Sequence, residues 1–368
     1  AWAGARTSFG VSLENATYDA RLRATARPEQ ARRDIAFVEI NDSSIAALEP
    51  VFGRWPWPRV VHASIVDFLA RAGAKAIAYD VLFLEADSRA AFPVGDGEMT
   101  GAASDRAFSD AIRRAGNVLL LADATYQGLA SGADAASLLP TALPGRSWQV
   151  DGFPRVPALR LPLSDFANGA AAVGHNALIH DERDRGTVRS LTPFLSAGPF
   201  SVPSLGLAAA LVASAVPSGA VATDGISLRL GATGVPLRDG TRALVAYRGP
   251  FVRAEGEHST PLYPTVPAVD VLISEDKITS GEAPPVDPAM FKDKIVFVGV
   301  GAAGLFDVVV TPFRGAGSTP GVFLHAAAAD DVLSGRGVRP PARGVTVALT
   351  VGAGLLAGLD RKSTRLNS

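Results

Sequence analysis

The 368-residue chain has no cysteine, which excludes disulfides, thiolate nucleophiles and cysteine-held zinc or iron–sulfur sites. Either a reducing or an oxidising compartment is compatible with that absence. A charge excess is also missing: 35 Lys and Arg stand against 36 Asp and Glu, so the sequence makes no case for a nucleic-acid partner. The basic residues are almost all Arg. No GxSxG elbow, Walker A loop or kinase signature is present, and no two of the histidines form an HExxH pair, which leaves covalent hydrolysis and phosphoryl transfer without support. Long apolar runs are scarce too. Ala1 to Gly10 holds no apolar stretch of the signal-peptide kind and no initiator Met, and reads as a fragment boundary. After Arg343 the chain reads GVTVALTVGAGLLAGL, an uncharged run over 344–359 that stops at Asp360. It falls short of the roughly 20 residues of a full span and is expected to be a truncated C-terminal transmembrane helix. The polar segment 360–368, DRKSTRLNS, is read as a non-native tail.

What is present is ample for a folded core: 48% hydrophobic and 19% charged residues. Leu13 to Arg23 reads as a short amphipathic helix. Ile35 to Ile40 (IAFVEI) is a buried-strand pattern, followed by capping residues Asn41 to Ser44. After the loop RWPWPR at Arg54 to Arg59, a helix is expected from about Val60 to Arg71, with Val61, Ile65, Phe68 and Leu69 on its apolar face. Strand Ala76 to Val81, helix Asp105 to Arg114 and strand Val118 to Ala122 follow. Strand, helix, strand, helix, strand calls for an α/β fold, layered around a mixed or mostly parallel sheet with flanking helices. Gly128 to Pro162 reads as a surface excursion, Val188 to Phe194 as a strand, Ala208 to Ala215 as part of a helix beginning after Pro203, and Ile226 to Leu230 and Leu244 to Tyr247 as short strands. Pro250 to Pro264 reads as loop, Lys294 to Val298 as the last strong strand and Val322 to Leu333 as the last helix. One elaborated domain over 13–335 accounts for this order.

Gly299, Gly301 and Gly304 after a strand satisfy GxGxxG. A dinucleotide site needs a helix there, whereas DVVVTPF at Asp307 to Phe313 is β-branched and broken by Pro312; a structural glycine turn fits better. His175 and His180, with Asp181, Glu182 or Asp184, offer zinc ligands at unspecific spacing. A polar turn built by Asn176, His180, Asp181 and Arg185 is the alternative. Glu39, Asn41 and Asp42 follow the first strand, and Asp80, Glu85 and Asp87 the second. Beyond the carboxyl ends of parallel strands such residues sit where polar solutes bind; they also cap helices and hold Arg54 or Arg59. Trp55 and Trp57 are read as packing residues.

Several blocks together resemble the CHASE2 family of extracellular sensory domains: DIAFVEINDSSIAAL, RWPWPR with VHA at Val61 to Ala63, GAKAIAYDVLF, GHNALIHDERDRGTVRSLTPF, and finally KIVFVGVGAAGLFDVVVTPF with PGVFLHAAAADDVLSG. LENATYDARLR is similar to the segment that leaves the first membrane helix in such proteins. The resemblance implies a bacterial cytoplasmic membrane location with the folded domain outside (periplasmic), a homodimer, an unidentified small-molecule or protein stimulus, and a separate output domain such as an adenylate cyclase or histidine kinase. It implies no catalytic residue, cofactor or metal. Two departures stand out: Ile40 replaces a usual acidic residue beside Asp42, and HDERDRG lengthens a turn that is Asp-rich in the family. The candidate ligand or structural residues are Asp42, Arg59, His62, Asp80, His175, Asn176, Asp181 and His325. An interaction module without a small-molecule ligand and a nucleotide-binding enzyme are the competing readings.

Overall fold

Short runs of Val, Ile, Leu, Phe and Ala supply the central sheet in this computed structural model, which describes residues 8–124, 139–177, 186–255, 258–305, 308–313 and 319–338. Its strands are β1 (Ile35–Ile40), β2 (Ala76–Asp80), β3 (Val118–Ala122), β4 (Ala172–His175), β5 (Thr265–Pro267) and β6 (Ile295–Val300). They lie in the order β5-β1-β6-β2-β3-β4, and every pairing is parallel. Because helices cover both faces, β2, β3 and β6 are buried at every position, which is why they read as unbroken apolar runs and not as alternating ones. β6 comes last in the sequence yet lies between β1 and β2, with Phe297 opposite Phe37 on one side and Ala78 on the other.

The helices are α1 (Ser8–Thr25), α2 (Asp42–Phe52), α3 (Arg59–Arg71), α4 (Gly101–Ala115), α5 (Ser164–Ala167), α6 (Leu205–Ala213), α7 (Ala268–Thr279) and α8 (Gly321–Leu333). Ala36, Val38, Ile77, Tyr79, Val296 and Val298 point to one face, where α3, α4 and α7 bring Ile65, Phe68, Phe108 and Val271. Ile35, Phe37, Ala76, Ala78, Ile295 and Phe297 point to the other, against α6 and α8. The period of two along each strand therefore divides the sheet's side chains between two cores. This is a mixed α/β fold with flanking helices. Short antiparallel pieces decorate it, among them Val221–Thr223, Ser227–Leu230 and Thr233–Pro236.

Several local expectations change. The described part of the 128–162 excursion has many exposed residues but is anchored inward: Trp148, Val150, Phe153 and Leu159 are buried, and Trp148 and Val150 join the α6/α8 core. The expected loop at Pro250 to Pro264 contains a hairpin, Val252–Glu255 with His258–Pro261. The expected strand Val188 to Phe194 is interrupted, with Ser190–Leu191 pairing with Ala243–Leu244 and Phe194 starting a separate hairpin. α4 begins four residues early because the Thr100 hydroxyl accepts from Ala103 N at 3.2 Å and caps it there.

The membrane location inferred from sequence is corrected. Among the described residues no helix is long and apolar enough to cross a membrane. The most apolar helices, α6 and α8, are 9 and 13 residues long and are apolar because they are wedged in the core. Residues 344–359, on which the expectation rested, lie outside the described residues.

Candidate functional site

The carboxyl ends of the parallel strands open into one crevice of about 920 Å³, within the range of small-molecule sites. Asp80 enters from the end of β2, Asn176 from beyond β4, Arg59 and His62 from α3, and His325 from α8. Five of the sequence candidates thus share one wall-to-wall space. His175 is buried just behind it, and Asp42 does not reach it: it is exposed in the first turn of α2, where a carboxylate favours the helix dipole. Asp181 and His180 lie outside the described residues.

The pair at the centre is Asp80 and His325, with His325 Nε2 3.9 Å from Asp80 Oδ1. Both side chains are more than nine-tenths buried, and the separation is too long for a direct hydrogen bond. Burial without a close counter-charge pushes the Asp80 carboxyl up to about 7. Behind them His175 Nδ1 accepts from Ala177 N at 3.2 Å, so the neutral ring carries its proton on Nε2. Burial first and the nearby His325 second bring the His175 value down to about 3, against the opposing Thr192 main chain.

His62 is fully buried with hydrogen-bond partners at neither nitrogen. Rings of Trp55, Trp57, Tyr79, Phe83 and Phe108 surround it at centroid distances of 5.1 to 6.0 Å. Burial, helped by the charge of Arg59, pushes it down to about 3. Arg59 lies over the Phe83 ring at 5.2 Å and donates from Nη2 to the Glu85 carbonyl at 3.1 Å and from Nη1 to the Trp57 carbonyl at 3.4 Å. Its charge is answered by Asp105, 3.9 Å from Nε. Asn176, which lines the crevice, accepts from Ala124 N at 3.1 Å through its Oδ1.

The glycine turn takes no part in phosphate binding here. A Cβ on Gly299 would lie 2.7 Å from Val322 Cβ, and one on Gly301 would lie 2.0 Å from Glu39 Oε1. These glycines let α8 and the Glu39 side chain approach β6. Gly304 stands in a 3-10 turn, Ala303–Leu305, with open space around it; the described residues that come next, 308–313, carry a short strand and no helix, so they do not form the dinucleotide geometry.

Sequence reasoning did not find the apolar lining, Leu121, Leu195 and Leu324, or the cations Arg155 and Arg160. The segment carrying the two arginines has no periodicity to mark it. It also missed a second polar cluster at the far end of α8. Asp330 accepts from Arg248 Nη2 at 2.6 Å, from the Tyr263 hydroxyl at 3.0 Å and from Arg32 N at 3.0 Å. Asp331 accepts from Ala246 N at 2.7 Å and lies 3.3 Å from Arg248 Nη1; burial pushes it up to about 8 against the pull of Arg248. The Tyr18 hydroxyl of α1 is pushed up to about 12, first by burial and then by the charge of Asp331. α1 is held further by Asp19, which accepts from Arg189 Nε at 2.6 Å and Nη2 at 2.8 Å. α8 thus has the crevice at one end and, at the other, Asp331, whose charge acts on Tyr18 of α1.

An α/β sheet with a crevice at its carboxyl edge defines a ligand-binding class of fold. The family model of the CHASE2 domain matches residues 1–359, and the chain belongs to that family. No curated protein and no solved structure matches it. Membership gives the chain a sensory, extracytoplasmic role in the general sense.

Proposed function

We propose that this chain is the input domain of a signal-transduction protein, in which a small molecule occupying the crevice is the stimulus and an output domain of the nucleotide cyclase or histidine kinase type is the receiver. The observation that carries the reading is the placement of His325: it faces Asp80 across the crevice and rides on the helix whose other end carries Asp330 and Asp331. From His325 to Asp330 the helix rises about 7.5 Å, so a ligand that draws His325 toward Asp80 pulls on the helix that carries Asp331, whose charge acts on Tyr18 of α1. Such a ligand shifts the population of α8 positions by its differential affinity for them.

The test uses a plugged crevice. Leu121→Trp fills the lining between β3 and α8, and wild type and variant are screened by thermal shift against a library of polar metabolites. A compound that raises Tm in wild type and not in the folded variant supports the reading. A library without effect on either protein contradicts it. Fusion to an adenylate cyclase output then reads coupling as a ligand-dependent change in cyclic AMP.

A further inference from the structure

We propose that the crevice takes a zwitterionic α-amino acid with an apolar side chain, its ammonium on Asp80 and its carboxylate on Arg155. This inference rests on the small-molecule reading above and names its ligand class.

The negative pole is Asp80. Among the described residues its carboxyl accepts no hydrogen bond, and His325 Nε2 lies 3.9 Å from Oδ1. A buried carboxylate without a partner is costly, and a cation brought by the ligand offsets that cost. An ammonium placed on Asp80 makes a charge-assisted hydrogen bond of about 2.8 Å to its carboxylate. The rival cation on this wall is already committed, since Arg59 is held by Asp105 and two carbonyls.

The positive pole is the 154–160 segment. Arg155 lines the crevice, is exposed and has neither hydrogen bond nor ion pair from its guanidinium among the described residues. Its fork suits a carboxylate. Arg160 lines the same segment, its main chain fixed to Asp123 by two 3.0 Å hydrogen bonds. Between the poles Leu84, Leu121, Leu195 and Leu324 give an apolar bed, which favours a branched or aromatic side chain over a polar one. A wall that carries both Asp80 and the exposed Arg155 matches a zwitterion better than a ligand of one sign.

The experiment is calorimetry with L-leucine, L-phenylalanine, 4-methylpentanoate and 3-methylbutylamine on wild type, Asp80→Asn, Arg155→Ala and the plugged Leu121→Trp. The two amino acids are expected to bind wild type, and deleting either charge from leucine is expected to weaken binding about tenfold or more. Asp80→Asn is expected to lose leucine and 3-methylbutylamine alike; Arg155→Ala is expected to weaken leucine and leave 3-methylbutylamine unchanged. Because Asp80→Asn removes a buried charge, its melting temperature at pH 8 serves as the folding control. Equal or tighter binding of 4-methylpentanoate, or an Asp80→Asn protein that binds leucine as wild type does, overturns the proposal. So does the failure of both amino acids. If a non-zwitterionic metabolite binds wild type and not Leu121→Trp, the amino-acid class falls while the sensory crevice stands; if nothing binds in the crevice, both fall.

Discussion

Gly206 of α6 meets the main chain of His325 on α8 so closely that a Cβ at position 206 would lie 2.0 Å from the His325 carbonyl oxygen. The contact is backbone against Cβ, with no flexible side chain to yield, so His325 is held from behind by the absence of a methyl group. Gly206→Ala is expected to cost about 1 to 3 kcal/mol by overpacking and to weaken crevice binding by moving His325. Gly304→Ala, with open space at its Cβ, is the control and is expected to fall within about 0.5 kcal/mol of wild type. Denaturant titration of both variants checks this; equal effects would contradict the packing argument.

Asp80 gives a pH dependence opposite in sign to that of a salt-bridged carboxylate. Its folded-state value of about 7 lies above the ordinary 3.8, so the folded state holds an extra proton between those values, and stability falls as pH rises through that window. Asp80→Asn removes the effect. The variant is expected to match wild type below pH 4 and to exceed it above pH 7 by on the order of 2 to 4 kcal/mol. Unfolding midpoints from pH 4 to 8 measure the difference.

His62 works in the other direction. Its value of about 3 lies below the ordinary 6.5, so the stability it contributes is present above pH 6.5 and lost as pH falls toward 3. Phe fits among the same rings without an unpaired nitrogen. His62→Phe is therefore expected to stay within about 1 kcal/mol of wild type or above it at pH 7, with an advantage that grows on acidification. In wild type the Asp80 and His62 trends offset one another between pH 4 and 6.5, so the two single variants, measured in the same buffers, reveal what the parent profile hides.

The anchor of α1 is a buried bidentate pair, Asp19 with Arg189, both side chains under a tenth exposed. Asp19→Ala takes two charge-assisted hydrogen bonds from a buried guanidinium and is expected to cost about 3 to 5 kcal/mol. Replacing both partners by Leu and Met is expected to recover most of that loss. A double variant as unstable as Asp19→Ala would show that the cost came from something other than the lost ion pair.

The sheet was legible where its strands are long and buried on both sides. Ile35–Ile40, Ala76–Asp80, Val118–Ala122 and the core of Ile295–Val300 announce themselves as apolar runs, and α3 shows its buried stripe of Val61, Ile65, Phe68 and Leu69. β4 (AVGH) and β5 (TVP) are too short to signal anything locally; they are strands because neighbours supply their hydrogen bonds. α7 was hidden by its mixture of Val, Ile, Ser, Asp and Thr, which has little helical preference of its own. The crevice residues could be named one by one from their places after strands, but their meeting could not. It depends on β6 threading between β1 and β2 and carrying α8, with His325, over the end of β2.

If occupancy of the crevice is passed along α8 to α1, hydrogen–deuterium exchange with and without saturating L-leucine reads it most directly. Slowed exchange is expected both in α8, residues Gly321–Leu333, and in α1, residues Ser8–Thr25, with both effects lost in Asp80→Asn. Protection confined to the crevice walls, with α1 exchanging at its ligand-free rate, would contradict it.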